Sequence, residues 1–207
     1  MKIKTLVVYR TNYNKLLWNE NGSSPQPSER EKSISFKWIT EKDWLSKPDI
    51  ISTPEQIIRQ RFSDDSQCFV GVDEASGKTI YHLWLSPIGA YIEWIYAYIK
   101  APKNGLLAFD AWVAPEYRGK SLHKLGACYA VKKSLEWEKP IISAAVEEHE
   151  FYSFFKMYAK MNLCVLEPQY NLNVLLLPFS RKIHWASPVS QAVKCFVESN
   201  KPNDNEN

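Results

Sequence analysis

The sequence predicts a mixed α/β (α+β) fold built on one central sheet. Three observations carry this. Short strand patterns alternate with helical ones. A strand–helix–strand–helix succession runs from residue 106 to residue 161. The 207 residues are 45% hydrophobic and 24% charged, as in a globular chain with a sizeable core.

The elements follow in order. IKTLVVYR (Ile3–Arg10) reads as a strand, and NGSSPQPSEREK (Asn21–Lys32) as a mobile loop rich in Pro, Ser and charge. SISFKWI (Ser33–Ile39) alternates and reads as a second strand, with a short helix after it around Asp43, Trp44 and Leu45. In TPEQIIRQRF, Thr53 is placed as N-cap and Pro54 at the first helical position. Gln67–Pro87 reads as two strands joined by a tight turn at Ser76–Gly77. AYIEWIYAYI (Ala90–Ile99) is expected to be one further strand, and GLLAFDAWV (Gly105–Val113) another.

Residues 119–137 are expected to form a helix with Leu122, Leu125, Cys128, Tyr129 and Leu135 on one side. PIISAAVEE (Pro140–Glu148) reads as a buried strand. In EFYSFFKMYAKM (Glu150–Met161), Phe151, Phe154, Phe155, Tyr158 and Met161 follow helical spacing. LCVLEPQYNLNVLLLPF (Leu163–Phe179) supplies two closing strands, and residues 198–207 form a polar, disordered tail. One domain, 1–207, accommodates all of this.

Composition narrows the function. A net charge of +3 with no Lys/Arg block argues against nucleic acid as a partner. The apolar run in Met1–Arg10 is too short for a signal peptide. Leu83–Ile99 is broken by Pro87 and carries Glu93, so no membrane span is expected. Cys68, Cys128, Cys164 and Cys195 lie far apart and read as reduced thiols of a cytoplasmic protein. No His/Cys/Asp/Glu set has ligand spacing, so no metal is expected.

The chemistry concentrates in AWVAPEYRGKSLHKLGA (Ala111–Ala127), where a strand passes through a proline and a basic turn into a helix. Backbone N–H groups of residues 119–123 would converge without intrahelical partners, and Arg118 and Lys120 add charge. On spacing alone, an anion site and a solvated basic turn both fit.

VAPEYRGKSLHKL resembles the acetyl-CoA binding motif of the GCN5-related N-acetyltransferase (GNAT) superfamily, which is Arg/Gln-x-x-Gly-x-Gly/Ala after a strand ending in Val-x-Pro. Val113, Pro115, Tyr117, Arg118, Gly119 and Lys120 match. Ser121 and His123 depart from the small residues of the pattern. YAKMNL (Tyr158–Leu163) is similar to the family's Tyr-x-Lys-Leu-Gly-Phe, with Asn162 for Gly and Leu163 for Phe. The resemblance spans roughly residues 33–180, most strongly 106–163.

The resemblance implies a GNAT-like sheet, mixed but mostly antiparallel, of about six or seven strands flanked by about four helices. Its central strands, 106–114 (bulged) and 141–147, would splay. It implies acetyl-CoA as co-substrate, no metal, and acyl transfer to an amine acceptor by direct attack in a ternary complex. Pantetheine would pair near Trp112 and Val113, and pyrophosphate with Arg118, Gly119, Lys120, Ser121, Leu122 and His123. Tyr158 would protonate the departing thiolate. Asp110, Glu148, His149, Glu147 and Glu93 are candidate bases, and a water chain would replace them all equally well. Tyr81, Trp84, Tyr91, Trp94, Tyr96 and Tyr98 would floor an acceptor cleft. Two alternatives stand: a catalytically silent GNAT-like binding or regulatory module, and the same fold taking its acyl group from a carrier protein. A homodimer is compatible with the sequence.

Overall fold

A computed structural model of the chain describes residues 2–12, 33–47, 51, 53–92, 97–119, 122–139, 141–160, 166–176 and 182–199. The strands are β1 Lys2–Asn12, β2 Ile34–Ile39, β3 Gln67–Asp73, β4 Lys78–Ser86, β5 Gly89–Ile92, β6 Ala97–Lys100, β7 Gly105–Val113, β8 Ile141–Glu147, β9 Leu166–Leu176 and β10 Lys182–Ser187. The helices are α1 Glu41–Ser46, α2 Glu55–Ser63, α3 Leu122–Glu136, α4 Glu148–Lys160 and α5 Gln191–Ser199.

Eight strands share one sheet in the order β10-β9-β1-β8-β7-β4-β3-β2, and β5 and β6 form a separate hairpin. Every neighbouring pair in the sheet is antiparallel except β7 and β8. The first strand occupies a central slot: β1 pairs with β8 on one side and β9 on the other. Its Leu6, Val7, Val8 and Tyr9 are all buried, the pattern of a strand covered on both faces.

Both faces are covered. Ile58 of α2 and Trp44 of α1 pack with Trp84, Leu107 and Phe109. Leu122, Leu125 and Val131 of α3 pack on the opposite side with Leu83, Leu85 and Leu106. Val7 and Tyr9 of β1 lie against Phe151 and Phe155 of α4 and Val193 of α5, and Tyr152 meets Phe196 edge-on at 4.8 Å. The short α1 is set by a capping box: Thr40 Oγ1 accepts from the Asp43 N–H at 3.2 Å, and Thr40 N–H donates to Asp43 Oδ2 at 2.8 Å.

Several expectations are corrected. Pro54, not Thr53, is the N-cap of α2, because its ψ of 139° is extended and helical geometry begins at Glu55. Ala90–Ile99 is not one strand: β5 and β6 pair with each other, Tyr91 opposite Tyr98, because the place beside β4 is taken by β7. Residues 93–96 between them, with Glu93, Trp94 and Tyr96, lie outside the described residues. β8 is buried only at Ile142 and Ser143, and Ala144–Glu147 are half-buried.

The sheet has more strands than expected and the helices are five among the described residues. Leu163–Phe179 contributes one strand, β9, and its partner β10 comes from residues beyond it. The polar tail begins later than residue 198, because α5 runs to Ser199. The loop 21–32, Cys164, and residues 200–207 lie outside the described residues. Cys68 and Cys128 are buried as expected of core thiols, but Cys195 is exposed on α5.

Gly126 on α3 is fixed by packing. A Cβ there would meet Tyr81 Oη and Cζ, and Tyr81 is fully buried in the sheet beneath. Gly126→Ala should destabilise the protein by about 1–3 kcal/mol, the usual size of an overpacked core site. For a chain of this length that lowers Tm by about 2–4 °C per kcal/mol. An unchanged thermal midpoint would mean that α3 does not sit on Tyr81.

Candidate active site

The parallel ladder between β7 and β8 is short. Gly105, Leu106 and Leu107 pair with Ile141, Ile142 and Ser143, and pairing stops there. Beyond it, β7 is bonded only to β4 and β8 only to β1. Ser143 Oγ donates to the Leu106 carbonyl at 3.5 Å at the last rung. The result is a gap between two central strands, as the sequence predicts.

At the mouth of the gap β7 carries a bulge. Trp84 faces Phe109 and His82 faces Trp112, so Asp110 and Ala111 stand opposite the single residue Leu83. Asp110 takes φ +48°, a left-handed conformation that aspartate tolerates better than most residues. Its carboxylate is held from α2: Arg61 Nη1 donates to Asp110 Oδ2 at 2.5 Å. Arg61 is itself buried, its guanidinium 5.0 Å from the Trp84 ring and 5.1 Å from the Phe109 ring. His82 is buried behind, stacked on Trp112 at 5.5 Å, with Nε2 at 3.8 Å from Asp110 Oδ1. That nitrogen has no hydrogen-bond partner among the described residues.

Burial works to raise the Asp110 pKa, but His82 and Arg61 outweigh it and hold the carboxyl at about 2. Such a group stays ionised at any physiological pH and is a poor terminal acceptor for a proton.

Two cavities meet β7 on either side of the bulge. One, of about 710 Å³, is lined by Ala111, Trp112, Val113, Tyr117, Arg118, Gly119, Leu122, His123 and Glu150. Six residues expected from the sequence to hold a donor therefore converge: Trp112, Val113, Arg118, Gly119, Leu122 and His123. Lys120 and Ser121 lie outside the described residues. The turn is anchored from both ends. Ala114 N–H donates to the Ile80 carbonyl at 2.9 Å, and Tyr117 Oη donates to Asp73 Oδ2 at 2.6 Å. Gly119 has φ +75° and open space where a Cβ would point. Arg118 Nε reaches back to the Val113 carbonyl at 3.4 Å.

Charge in this cavity is mixed. Burial lowers the His123 pKa, with Glu150 acting in the opposite direction, so the imidazole is mainly neutral at pH 7. Arg118 and Glu150 line the same space. The second cavity, about 540 Å³, lies between α2 and the β5–β6 hairpin, and Arg61 and Phe109 line it.

The remaining expected residues are distributed as follows. His149 is in the first turn of α4 rather than a loop, three-quarters exposed, with Nδ1 at 3.5 Å from Glu147 Oε2. It lines neither cavity. Glu148 begins α4 and Tyr158 falls in its last turn, and the side chains of both lie outside the described residues. Of the aromatic set, Tyr81 and Trp84 are buried in the sheet, whereas Tyr91 and Tyr98 are half exposed and line the second cavity. Sequence reasoning missed Arg61, His82 and Glu150. Arg61 carries one signal: it shares the inward side of α2 with Ile58, three residues earlier. No group of three or more His, Cys, Asp or Glu among the described residues is placed to hold a metal, and no helix among them is long and apolar enough to cross a membrane.

No protein-family model matches the sequence, and no curated protein matches it. Solved structures do share its architecture. A tandem GNAT protein from the clavulanic acid biosynthesis pathway superposes with a TM-score of 0.53 at 13% identity, over 99% of this chain and 56% of that one. A GCN5-related N-acetyltransferase from Sphaerobacter thermophilus gives 0.54 at 9% identity, over 93% of this chain and 55% of that one. The glucosamine N-acetyltransferase region of a fungal multi-domain GH3 β-N-acetylglucosaminidase gives 0.51 at 13% identity, over 87% and 21%. The chain spans about half the length of the first and second of these proteins. The fold is that of the GCN5-related N-acetyltransferases, as the resemblance in the sequence implies.

Asp110 offers a direct check on the electrostatics. Its folded pKa of about 2 lies below the ordinary value near 3.9. The depressed value contributes stability above about pH 4, and that contribution is lost as pH falls from about 4 to 2. Asp110→Asn keeps the shape and tolerates the left-handed backbone. In thermal melts, wild type should exceed the variant above pH 4, with the difference shrinking toward pH 2. A difference that does not change with pH would contradict the ion pair.

Proposed function

We propose that the protein is an N-acyltransferase that moves an acetyl or acyl group from acetyl-CoA to an amine by direct attack. The observation that carries this reading is the 710 Å³ cavity at the end of the broken β7–β8 ladder, lined by the motif residues Trp112, Val113, Arg118, Gly119, Leu122 and His123. The unpaired flank of β7 would bond pantetheine amides as a strand would. Arg118, Gly119, Leu122 and His123, at the entry to the 15-residue α3, would bond the pyrophosphate, and so would Lys120 and Ser121, which follow Gly119 in the sequence. One 207-residue domain would carry both cavities. Cys68 and Cys128, buried as thiols, support a reducing, cytoplasmic setting.

The acceptor would enter from the second cavity and meet the thioester at the bulge. The amine nitrogen forms the new C–N bond, the C–S bond breaks, the nitrogen gives up one proton and the thiolate takes one. Asp110, fixed and ionised by Arg61, would orient the nitrogen and favour its positive charge as the tetrahedral intermediate forms. A water chain is better suited than Asp110 to carry the proton away. Of the other base candidates, His149 and Glu148 at the start of α4 have weaker support. Tyr158 on α4 would return a proton to the thiolate.

The mixed charge of the donor cavity favours one second reading. Among the described residues lining it, Glu150 balances the charge of Arg118, which suits a donor with a single phosphate, such as the phosphopantetheine of an acyl-carrier protein. Calorimetry separates the two. Acetyl-CoA should bind, and Arg118→Glu should weaken it more than tenfold. No acetyl-CoA binding, with transfer from an acylated carrier, would establish the second reading, and binding without turnover on any amine would leave a silent module.

If Tyr158 is the acid, Tyr158→Phe should keep folding and acetyl-CoA affinity while kcat falls about 10²-fold. A near-normal kcat would move the proton source to water.

A further inference from the structure

The second cavity has its own chemical signature. Its charges are Arg61 and Asp64. Arg61 is already neutralised by Asp110, which lies at the bulge. The Asp64 carboxylate accepts only from Gln60 Nε2, at 2.9 Å, and pairs with no cation among the described residues. Among the described residues the cavity therefore presents one uncompensated negative charge. Tyr91 and Tyr98 stand opposite one another on β5 and β6, half exposed, and both line the same space. Gln56 adds an amide. A volume of about 540 Å³ is that of a small-molecule pocket.

Carboxylate and tyrosine faces together recognise an ammonium. The nitrogen that attacks a thioester must be neutral when it does so, so a cation held here is a second one. We propose that this cavity selects small-molecule amines that carry a second positive charge, with Asp64, Tyr91 and Tyr98 as the specificity residues. The assignment rests on the adjoining cavity being the acyl-donor site. An acceptor carrying a carboxylate is disfavoured, because it would place its charge beside Asp64 and find Arg61 already paired.

Three four-carbon probes test this: 1,4-diaminobutane, butylamine and 4-aminobutanoate. Binding is measured by calorimetry without any acyl donor, so that the result does not depend on turnover. 1,4-Diaminobutane should bind at least tenfold more tightly than 4-aminobutanoate, and with acetyl-CoA present it should be acylated at least tenfold faster than butylamine, whose one nitrogen must be neutral to react. Asp64→Asn should weaken the diamine at least tenfold and remove both preferences. Asp64 makes only one side-chain hydrogen bond, so the variant should fold, which a thermal melt verifies. Tyr98→Ala, at an exposed position, should weaken the diamine as well. Equal binding of the three amines, or indifference of the diamine to Asp64→Asn, would overturn the proposal. Acetyl-CoA turnover without charge preference would overturn this inference and leave the transferase reading intact. Asp64-dependent diamine binding without any acetyl-CoA binding would uphold the cation site and overturn acetyl-CoA as the donor.

Discussion

The arrangement of this protein depends on where two central strands stop pairing. β7 and β8 are joined for three rungs and then part after Leu107 and Ser143. A parallel pair inside a sheet has no reason to separate while both strands can still bond. Here β7 is turned away by the bulge at Asp110–Ala111. β8 remains held by β1 through Ala144, Ala145, Val146 and Glu147. The gap is thus enforced from both sides, and it leaves backbone groups of β7 facing open space.

Holding that bulge is electrostatically demanding. Arg61 is buried, and a buried cation is tolerated only when its charge and its N–H groups are satisfied. Asp110 supplies the charge, and the rings of Trp84 and Phe109 supply favourable faces. The same ion pair ties α2 to the bulge and separates the two cavities. One consequence is a division of labour: a carboxylate held at about 2 organises charge well and ferries protons poorly.

Much was legible in the chain. The motif residues Val113, Arg118, Gly119, Leu122 and His123 line one cavity, and the strand at 141–147 and the helix after it lie where spacing and the resemblance put them. They could be read because each uses a local rule: a proline ending a strand, a glycine with positive φ in the turn, apolar residues at helical spacing. Arg61, His82 and Glu150 could not be read. Each matters through a neighbour distant in sequence, Asp110 lying 49 residues from Arg61.

The sequence by itself determined most of the strands and helices and the basic turn between β7 and α3, since those depend on contacts within a few residues. It could not place Lys2–Asn12, whose apolar run reads as a strand anywhere. Only the tertiary structure put it between β8 and β9, where both of its edges are bonded. It likewise decided that Ala90–Ile99 leaves the main sheet, because β7 already holds the edge of β4. It decided too that Asp110 meets Arg61, because a bulge redirects a side chain in a way that strand alternation does not predict.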